Sequence, residues 1–129
     1  MNYAIPLYHS CVKAGFPSPA DDFIEQYLDL NEFLINCKNS TFFIRVSGSS
    51  MINAGIFQDD ILIVDRSLKP KKHDVVLAIL DNEFTVKRFI KQNGQIILKS
   101  ENPKYRSIYL QPDAKFEIWG VVTRVIHKP

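Results

Sequence analysis

One serine and one lysine are the side chains of this sequence whose types and surroundings best suit them to catalysis. Ser50 lies in the tetrapeptide Gly-Ser-Ser-Met at residues 48–51, directly after a strand-like run at residues 41–47. A serine hydroxyl is a weak nucleophile that needs a neighbouring base, and none of the histidines lies in a suitable setting. Lys87, inside the strand-like run at residues 84–90, is the base that the sequence offers. The first hypothesis is therefore a hydrolase that uses a Ser–Lys pair.

The burial of Lys87 decides whether this lysine could act as a base. A free lysine has a pKa of ~10.4, so that only about one side chain in 2,500 is neutral at pH 7. Burial in apolar surroundings lowers such a pKa by up to ~3–5 units. Strand alternation places Lys87 on the same face as Thr85 and Phe89, but it does not decide which face is buried. Two other interpretations stay open: the tetrapeptide as an ordinary turn, and Lys87 as a solvent-facing residue of a sheet with one wet face.

Length and composition predict a single globular domain. The chain has 129 residues, of which 46% are hydrophobic and 23% are charged. A net charge of +2 is too small to indicate binding to nucleic acid or to an anionic membrane. No run approaches the roughly 18 apolar residues of a membrane helix, and the first residues lack the basic start of a signal peptide. Cys11 and Cys37 have no metal-ligand spacing, so we expect reduced thiols in a soluble, cytoplasmic protein.

The remaining candidates for binding or catalysis have simpler interpretations. His9, His73 and His127 have no Cys, Asp or Glu at metal-ligand spacing, and the glycines are scattered without a phosphate-binding loop. The basic run at residues 66–72 is typical of a solvated loop, with contact to nucleic acid or a partner as the minority alternative. Trp119 is expected in the core. The sequence predicts no metal and no cofactor.

The first 40 residues predict an arm followed by a short helical segment. Residues 1–13 show neither a period nor a cap, and residues 14–19 contain two prolines, which disfavour helix and ladder pairing. Ser18 is a candidate helix N-cap, and apolar residues then recur at helical spacing as far as Leu34. A second capping pattern at residues 29–32 makes two short helices as good a prediction as one long helix.

From Thr41 onward the sequence predicts strands. Asp81-Asn82 and the tetrapeptide at residues 92–95 fit hairpin connections. Many short strands at this spacing predict a mainly β, compact domain of mostly antiparallel strands over residues 41–129, after an N-terminal part at residues 1–40. The predicted strands are residues 41–47, 60–65, 74–81, 83–91, 95–100, 108–110 and 115–127.

Four segments of the β-rich part resemble the LexA-like family of self-cleaving proteins. The tetrapeptide around Ser50 resembles the family's Gly-x-Ser-Met nucleophile motif, and residues 84–88 resemble its lysine strand. Residues 60–65 resemble the strand between the two motifs, and residues 120–122 resemble the closing strand. The fold that this resemblance implies is the family's peptidase domain of mostly antiparallel strands, which is normally a homodimer.

The N-terminal residues extend the resemblance. Ala14-Gly15 is similar to the Ala–Gly or Cys–Gly bond that these proteins cut in themselves. The segments at residues 15–20 and 29–31 narrow the resemblance to the UmuD branch of the family. The chain departs from that branch at Ser49, where aspartate is typical.

The resemblance implies a serine peptidase with a defined site. Ser50 would be the nucleophile, Lys87 the general base, and the backbone N–H groups of Ser49 and Ser50 the donors to the oxyanion. The substrate would be the Ala14–Gly15 bond of the same chain or of its partner. No metal or cofactor is implied.

The resemblance also implies partners. A RecA filament on single-stranded DNA would stimulate cleavage in the SOS response to DNA damage, and the processed form would serve a UmuC-type Y-family polymerase in error-prone translesion synthesis. The residues before Ala14 are too few for a helix-turn-helix domain, so a repressor with direct sequence-specific DNA binding is not expected, nor is a membrane partner. The alternative is a non-catalytic module that keeps the fold and only binds the polymerase or RecA.

Overall fold

The computed structural model of the protein describes residues 3–8 and 24–129. These residues belong to two compact units, one within residues 1–36 and the other at residues 37–129. Within the described part of the chain, no helix is both long enough and apolar enough to cross a membrane.

The first unit contains two paired strands and one short helix. Strand β1 (Ile5–Tyr8) pairs antiparallel with strand β2 (Ile24–Leu28). Helix α1 (Leu30–Leu34) follows, and the Asp29 side chain caps it by accepting a hydrogen bond of 2.9 Å from the Asn31 N–H. The second capping pattern is thus confirmed, and the helix that it begins is five residues long.

Two predictions for this unit are wrong. Residues 5–8 form a strand although the sequence predicted an arm without regular structure, and residues 24–28 form a strand although their spacing predicted a helix. The physical reason is the same for both errors. Each strand is stabilised by hydrogen bonds with the other, and the local periodicity of a sequence does not show which distant segment a strand pairs with. The candidate N-cap Ser18 lies outside the described residues.

The second unit is one antiparallel sheet of seven strands in the order β3-β4-β9-β5-β6-β7-β8. Each of the seven predicted strands is present, and the mainly β, antiparallel fold class is confirmed. Two one-turn 3₁₀ helices lie at Lys38–Ser40 and Ile52–Ala54. The strands are β3 (Thr41–Arg45), β4 (Ile61–Asp65), β5 (Val75–Leu80), β6 (Glu83–Gln92), β7 (Gln95–Lys99), β8 (Ile108–Tyr109) and β9 (Phe116–Ile126).

Two tight hairpins fix the register of the strand that carries Lys87. Asp81 and Asn82 connect β5 to β6 with φ angles of 50° and 68°, and Asn93 and Gly94 connect β6 to β7 with 52° and 78°. Positive φ at both central residues is the signature of type I′ turns, whose twist matches that of the flanking strands. Both predicted hairpins are confirmed.

Strand β9 joins the two halves of the sheet because it lies between β4 and β5. The pairing skips one residue of β9 on each side, Thr123 opposite β4 and Trp119 opposite β5, as in β-bulges. Gly120 follows the second bulge, where a Cβ atom would lie 2.6 Å from Val64 Cγ1. The buried side chains form two clusters, one of Val76, Ala78, Phe89, Leu98, Leu110 and Val121, the other of Met51, Ile56, Leu62, Val64 and Leu77.

Candidate active site

Ser50 lies on a loop that is fixed at both ends. After β3 the chain stays paired for one more residue, because the Val46 N–H donates to the Asp60 carbonyl at 2.8 Å. Gly48 then turns the backbone with φ at 91°, a value that L side chains rarely adopt. Directly after Ser50, Met51 is only 2% exposed and packs in the second cluster. The serine is therefore held between a strand end and an anchor in the core.

Lys87 lies on the inward face of β6. Its side chain is 8% exposed, Phe89 is also buried and Thr85 is half-buried, whereas Phe84 on the other face is 52% exposed. The face of β6 that carries Lys87 is therefore buried, which strand alternation alone did not decide. Burial lowers the pKa of the Lys87 amine below its usual value of 10.5.

The Lys87 amine contacts three oxygen atoms. Its Nζ lies 3.2 Å from Ser50 Oγ, 2.7 Å from Thr85 Oγ1 and 3.1 Å from the Val86 carbonyl oxygen. A neutral amine has two N–H groups and one lone pair. The protonated amine donates to all three oxygens, whereas in a neutral Lys87 two N–H groups would serve Thr85 and Val86 and the lone pair would face the Ser50 O–H.

Among the described residues, no carboxylate forms an ion pair with this buried amine. The two ion pairs within residues 3–8 and 24–129 are Arg88 with Glu101 and His127 with Asp60, and neither includes Lys87. Buried lysines are rare unless they are paired, because burial penalises an uncompensated charge. The burial of Lys87 therefore makes its neutral form easier to reach than that of a free lysine.

A cleft of about 260 Å³ opens over the serine and the lysine. The end of β3 and the loop after it form one wall, and the first half of β6 forms the other. The cleft is lined by apolar side chains and by polar groups, among them those of Ser50, Thr85 and Lys87. The lining residues are Ile44, Arg45, Val46, Ser47, Gly48, Ser50, Met51, Ile56, Leu77, Phe84, Thr85, Val86 and Lys87.

The peptide groups around Ser50 are held by the loop after β7. Asn102 Nδ2 donates to the Ser49 carbonyl at 2.8 Å, and the Glu101 N–H donates to the Ser50 carbonyl at 2.9 Å. In the described part of the chain, no backbone hydrogen bond uses the N–H groups of Ser49 or Ser50. Neither N–H group therefore has a backbone acceptor among the described residues.

Sequence reasoning missed two residues of this site. Thr85 was placed on the face of Lys87 by alternation, yet it received no role. Asn102 lies directly before Pro103, and nothing in a single sequence indicates that its side chain reaches Ser49, 53 positions away.

The other candidates lie apart from this cleft or outside the described residues. His127 Nδ1 lies 2.6 Å from Asp60 Oδ1, so it has the acidic partner that local spacing did not reveal. Arg66, the first residue of the basic run, stacks over the Trp119 ring at 4.1 Å from its centroid, and Trp119 is half-buried. Cys37 is exposed and free. The predicted cleavage bond and two further candidates fall outside the described residues, namely Ala14, Gly15, His9 and Cys11.

A seven-stranded antiparallel sheet with a serine and a buried lysine in one cleft is the arrangement expected of a Ser–Lys peptidase domain. Residues 6–123 match the family described as Peptidase S24-like, and the chain belongs to this serine peptidase family.

Three relatives make the assignment more specific. The chain is 44% identical over 128 residues to Protein ImpA of Salmonella typhimurium, covering 98% of this chain and 86% of the relative. It is 42% identical over 122 residues to Protein MucA of Escherichia coli, covering 94% and 83%. It is also 41% identical over 101 residues to LexA repressor 1 of Geobacter sulfurreducens, covering 78% of this chain and 49% of the repressor. The resemblance to the UmuD branch of the LexA-like proteins is confirmed.

Proposed function

We propose that this protein is a self-cleaving serine peptidase in which Ser50 is the nucleophile, Lys87 the general base and the Ala14–Gly15 bond the substrate. The observation that carries the proposal is a buried amine 3.2 Å from the Ser50 hydroxyl. Among the described residues this amine has no carboxylate partner. Burial favours the neutral form of lysine, and only the neutral form can accept the serine proton.

The reaction follows the logic of acyl transfer. The Ser50 oxygen attacks the carbonyl carbon of Ala14 while its proton moves to the Lys87 nitrogen. The tetrahedral intermediate collapses when Lys87 returns a proton to the Gly15 nitrogen, which leaves as an amine. Water then attacks the acyl-enzyme while losing a proton to Lys87, and Lys87 returns this proton to the Ser50 oxygen as the ester bond breaks and the Ala14 carboxyl group is released.

The oxyanion of the intermediate would be stabilised by the backbone N–H groups of Ser49 and Ser50. Both lack a backbone acceptor among the described residues, and both follow the Gly48 turn. Preorganised donors of this kind stabilise the transition state strongly, since removing one typically costs ~10²–10³ in rate.

The biological setting that we propose follows from membership of the UmuD branch. In that setting the protein is a cytoplasmic homodimer that cleaves itself when it meets a RecA filament on single-stranded DNA. The processed form then serves a UmuC-type Y-family polymerase in error-prone translesion synthesis. The identity of 44% to Protein ImpA and of 42% to Protein MucA, over 98% and 94% of this chain, supports this assignment.

The alternative, a non-catalytic module that only binds the polymerase or RecA, has weaker support. A scaffold would gain nothing from an unpaired lysine in its core, because an apolar residue of similar volume would be more stable there. The distance of 3.2 Å between Lys87 Nζ and Ser50 Oγ is within reach of the proton transfer that a peptidase requires.

Incubation of the purified protein at pH 7 and at about pH 10 tests the proposal, with a second series containing RecA filaments. Mass spectrometry should detect a fragment that begins at Gly15, and more of it at pH 10. Ser50→Ala and Lys87→Met should abolish this fragment, whereas Ser67→Ala, at an exposed serine that does not line the cleft, should retain it. Cleavage that persists in Ser50→Ala would refute the nucleophile assignment, and no fragment under any condition would refute the peptidase.

A further inference from the structure

Asn102 is a buried polar side chain whose hydrogen bonds all serve the loop that carries Ser50 or its own turn. It is 7% exposed, and its Nδ2 donates to the Ser49 carbonyl at 2.8 Å. Its Oδ1 accepts the Lys104 N–H at 3.1 Å, and its carbonyl accepts the Tyr105 N–H at 3.0 Å. Burying an amide is unfavourable unless such bonds compensate it. The side chain is thus a polar link between two loops.

The atom that Asn102 holds controls the direction of a neighbouring donor. The Ser49 carbonyl and the Ser50 N–H belong to one planar trans peptide group, in which C=O and N–H point in opposite directions. A hydrogen bond that pulls the carbonyl oxygen toward Asn102 therefore turns the Ser50 N–H away from Asn102. That N–H has no backbone acceptor among the described residues.

Further contacts from the same loop hold the next peptide group and the neighbouring side chain. The Glu101 N–H donates to the Ser50 carbonyl at 2.9 Å, and the Glu101 carbonyl accepts the Asn53 N–H at 2.8 Å. The hydroxyls of Ser49 and Tyr105 lie 3.1 Å apart. The loop after β7 therefore holds, by hydrogen bonds, both peptide groups that flank Ser50.

We propose that Asn102 is a positioning residue for the Ser50 reaction: its side-chain amide orients the Ser49–Ser50 peptide group so that the Ser50 N–H is presented to the oxyanion. This inference rests on the proposed function. Asn102 does not line the cleft and makes no hydrogen bond with Lys87, so it would act through the backbone.

The variant Asn102→Asp isolates this role because it keeps the size and shape of the side chain. The carboxylate can still accept the Lys104 N–H, but it cannot donate to the Ser49 carbonyl and instead repels it. Loss of one preorganised oxyanion donor typically costs ~10²–10³ in rate, and a partly misdirected donor costs less. We therefore expect self-cleavage to be about 10- to 100-fold slower than in the wild type at every pH.

The pH profile separates positioning from general damage to the site. If Asn102 only orients the peptide group, the maximum rate falls while the midpoint of the profile, which reports Lys87, stays where it is in the wild type. If the substitution loosens the site and admits water, the midpoint moves up toward 10.5, the usual value for lysine. Because a new carboxylate near Lys87 by itself raises this midpoint, the profile is decisive in Asn102→Ala, which adds no charge, and a shifted midpoint there would overturn the inference.

Two further variants complete the experiment. Asn93→Asp makes the same chemical change at the exposed β6–β7 turn, where Asp-Gly suits the turn as well as Asn-Gly, and it should cleave at the wild-type rate. Asn102→Ala removes the amide without adding a charge and should slow cleavage to a similar extent. If circular dichroism shows that Asn102→Asp does not fold, Asn102→Ala tests the inference in its place. Wild-type rates in a folded Asn102 variant would overturn the inference alone, whereas an inert wild type would refute the proposed function itself.

Discussion

Replacement of Lys87 by methionine should make the stability of the protein depend differently on pH. Methionine has a similar length and no charge, so the variant removes one titrating group from the core. The comparison is best made in a Ser50→Ala background, in which neither protein can cleave itself during the measurement. The quantity of interest is the difference in the free energy of unfolding between Ser50→Ala/Lys87→Met and Ser50→Ala.

The sign and size of the effect follow from the burial of Lys87. Burial lowers the pKa of this lysine in the folded state, whereas in the unfolded state it has its usual value of 10.5. Below the folded-state pKa both states are protonated, and the folded protein bears the full cost of a buried charge. Between the two pKa values the unfolded state binds one more proton, so the stability of the lysine protein rises by about 1.4 kcal/mol per pH unit. Above pH 10.5 the lysine is neutral in both states, and the folded protein no longer bears the cost of a buried charge.

Urea denaturation of both proteins from pH 6 to pH 11 measures this difference. We expect the advantage of methionine to be largest at neutral pH, to fall with a slope of up to about 1.4 kcal/mol per unit, and to level off near pH 10.5. Other groups that titrate in this range cancel in the difference. A difference that is constant across the range would mean that Lys87 titrates alike in both states, and the reasoning about its burial would be refuted.

Three further predictions concern single contacts. Thr85→Val removes the acceptor 2.7 Å from Lys87 Nζ and should slow self-cleavage about 2- to 12-fold, the equivalent of ~0.5–1.5 kcal/mol for one hydrogen bond; an unchanged rate on a gel would show that this bond does not orient the amine. Gly120→Ala places a methyl group 2.6 Å from a neighbouring side chain and should cost roughly 1–3 kcal/mol, which thermal denaturation would reveal as a lower Tm. Burial alone would raise the pKa of Asp60, but hydrogen bonds from the Phe57 N–H and His127 outweigh it and lower that pKa. Asp60→Asn should therefore be less stable than the wild type above pH 3.8, and this deficit in urea denaturation should disappear as the pH falls through the lowered pKa.

The strands of the second unit could be predicted because their signals are local. Alternation and turn residues mark each strand, and two adjacent residues are enough to predict each of the type I′ turns at Asp81-Asn82 and Asn93-Gly94. In contrast, the pairing of β1 with β2 joins segments that are distant in sequence, and residues 24–28 have a spacing that also suits a helix. Only tertiary pairing decides between those two structures.

Part of the candidate site could also be predicted because its signals are local in the sequence. Ser50 and Lys87 were recognised from residue type, strand context and the family resemblance, and the structure brings them within 3.2 Å. The face of β6 that is buried depends on the packing of the whole sheet, which alternation alone does not specify. The contact of Asn102 with Ser49 depends on how two loops meet, so no local pattern contains it.

The rate of self-cleavage as a function of pH tests most directly whether Ser50 is activated by a neutral, buried Lys87. The measurement follows the fragment that begins at Gly15 by mass spectrometry from pH 6 to pH 11, in the wild type and in Ser50→Ala. We predict that the wild-type rate rises tenfold per pH unit and levels off at a midpoint below 10.5, and that Ser50→Ala releases no fragment. A rate that does not depend on pH, or that is the same in Ser50→Ala, would contradict the account.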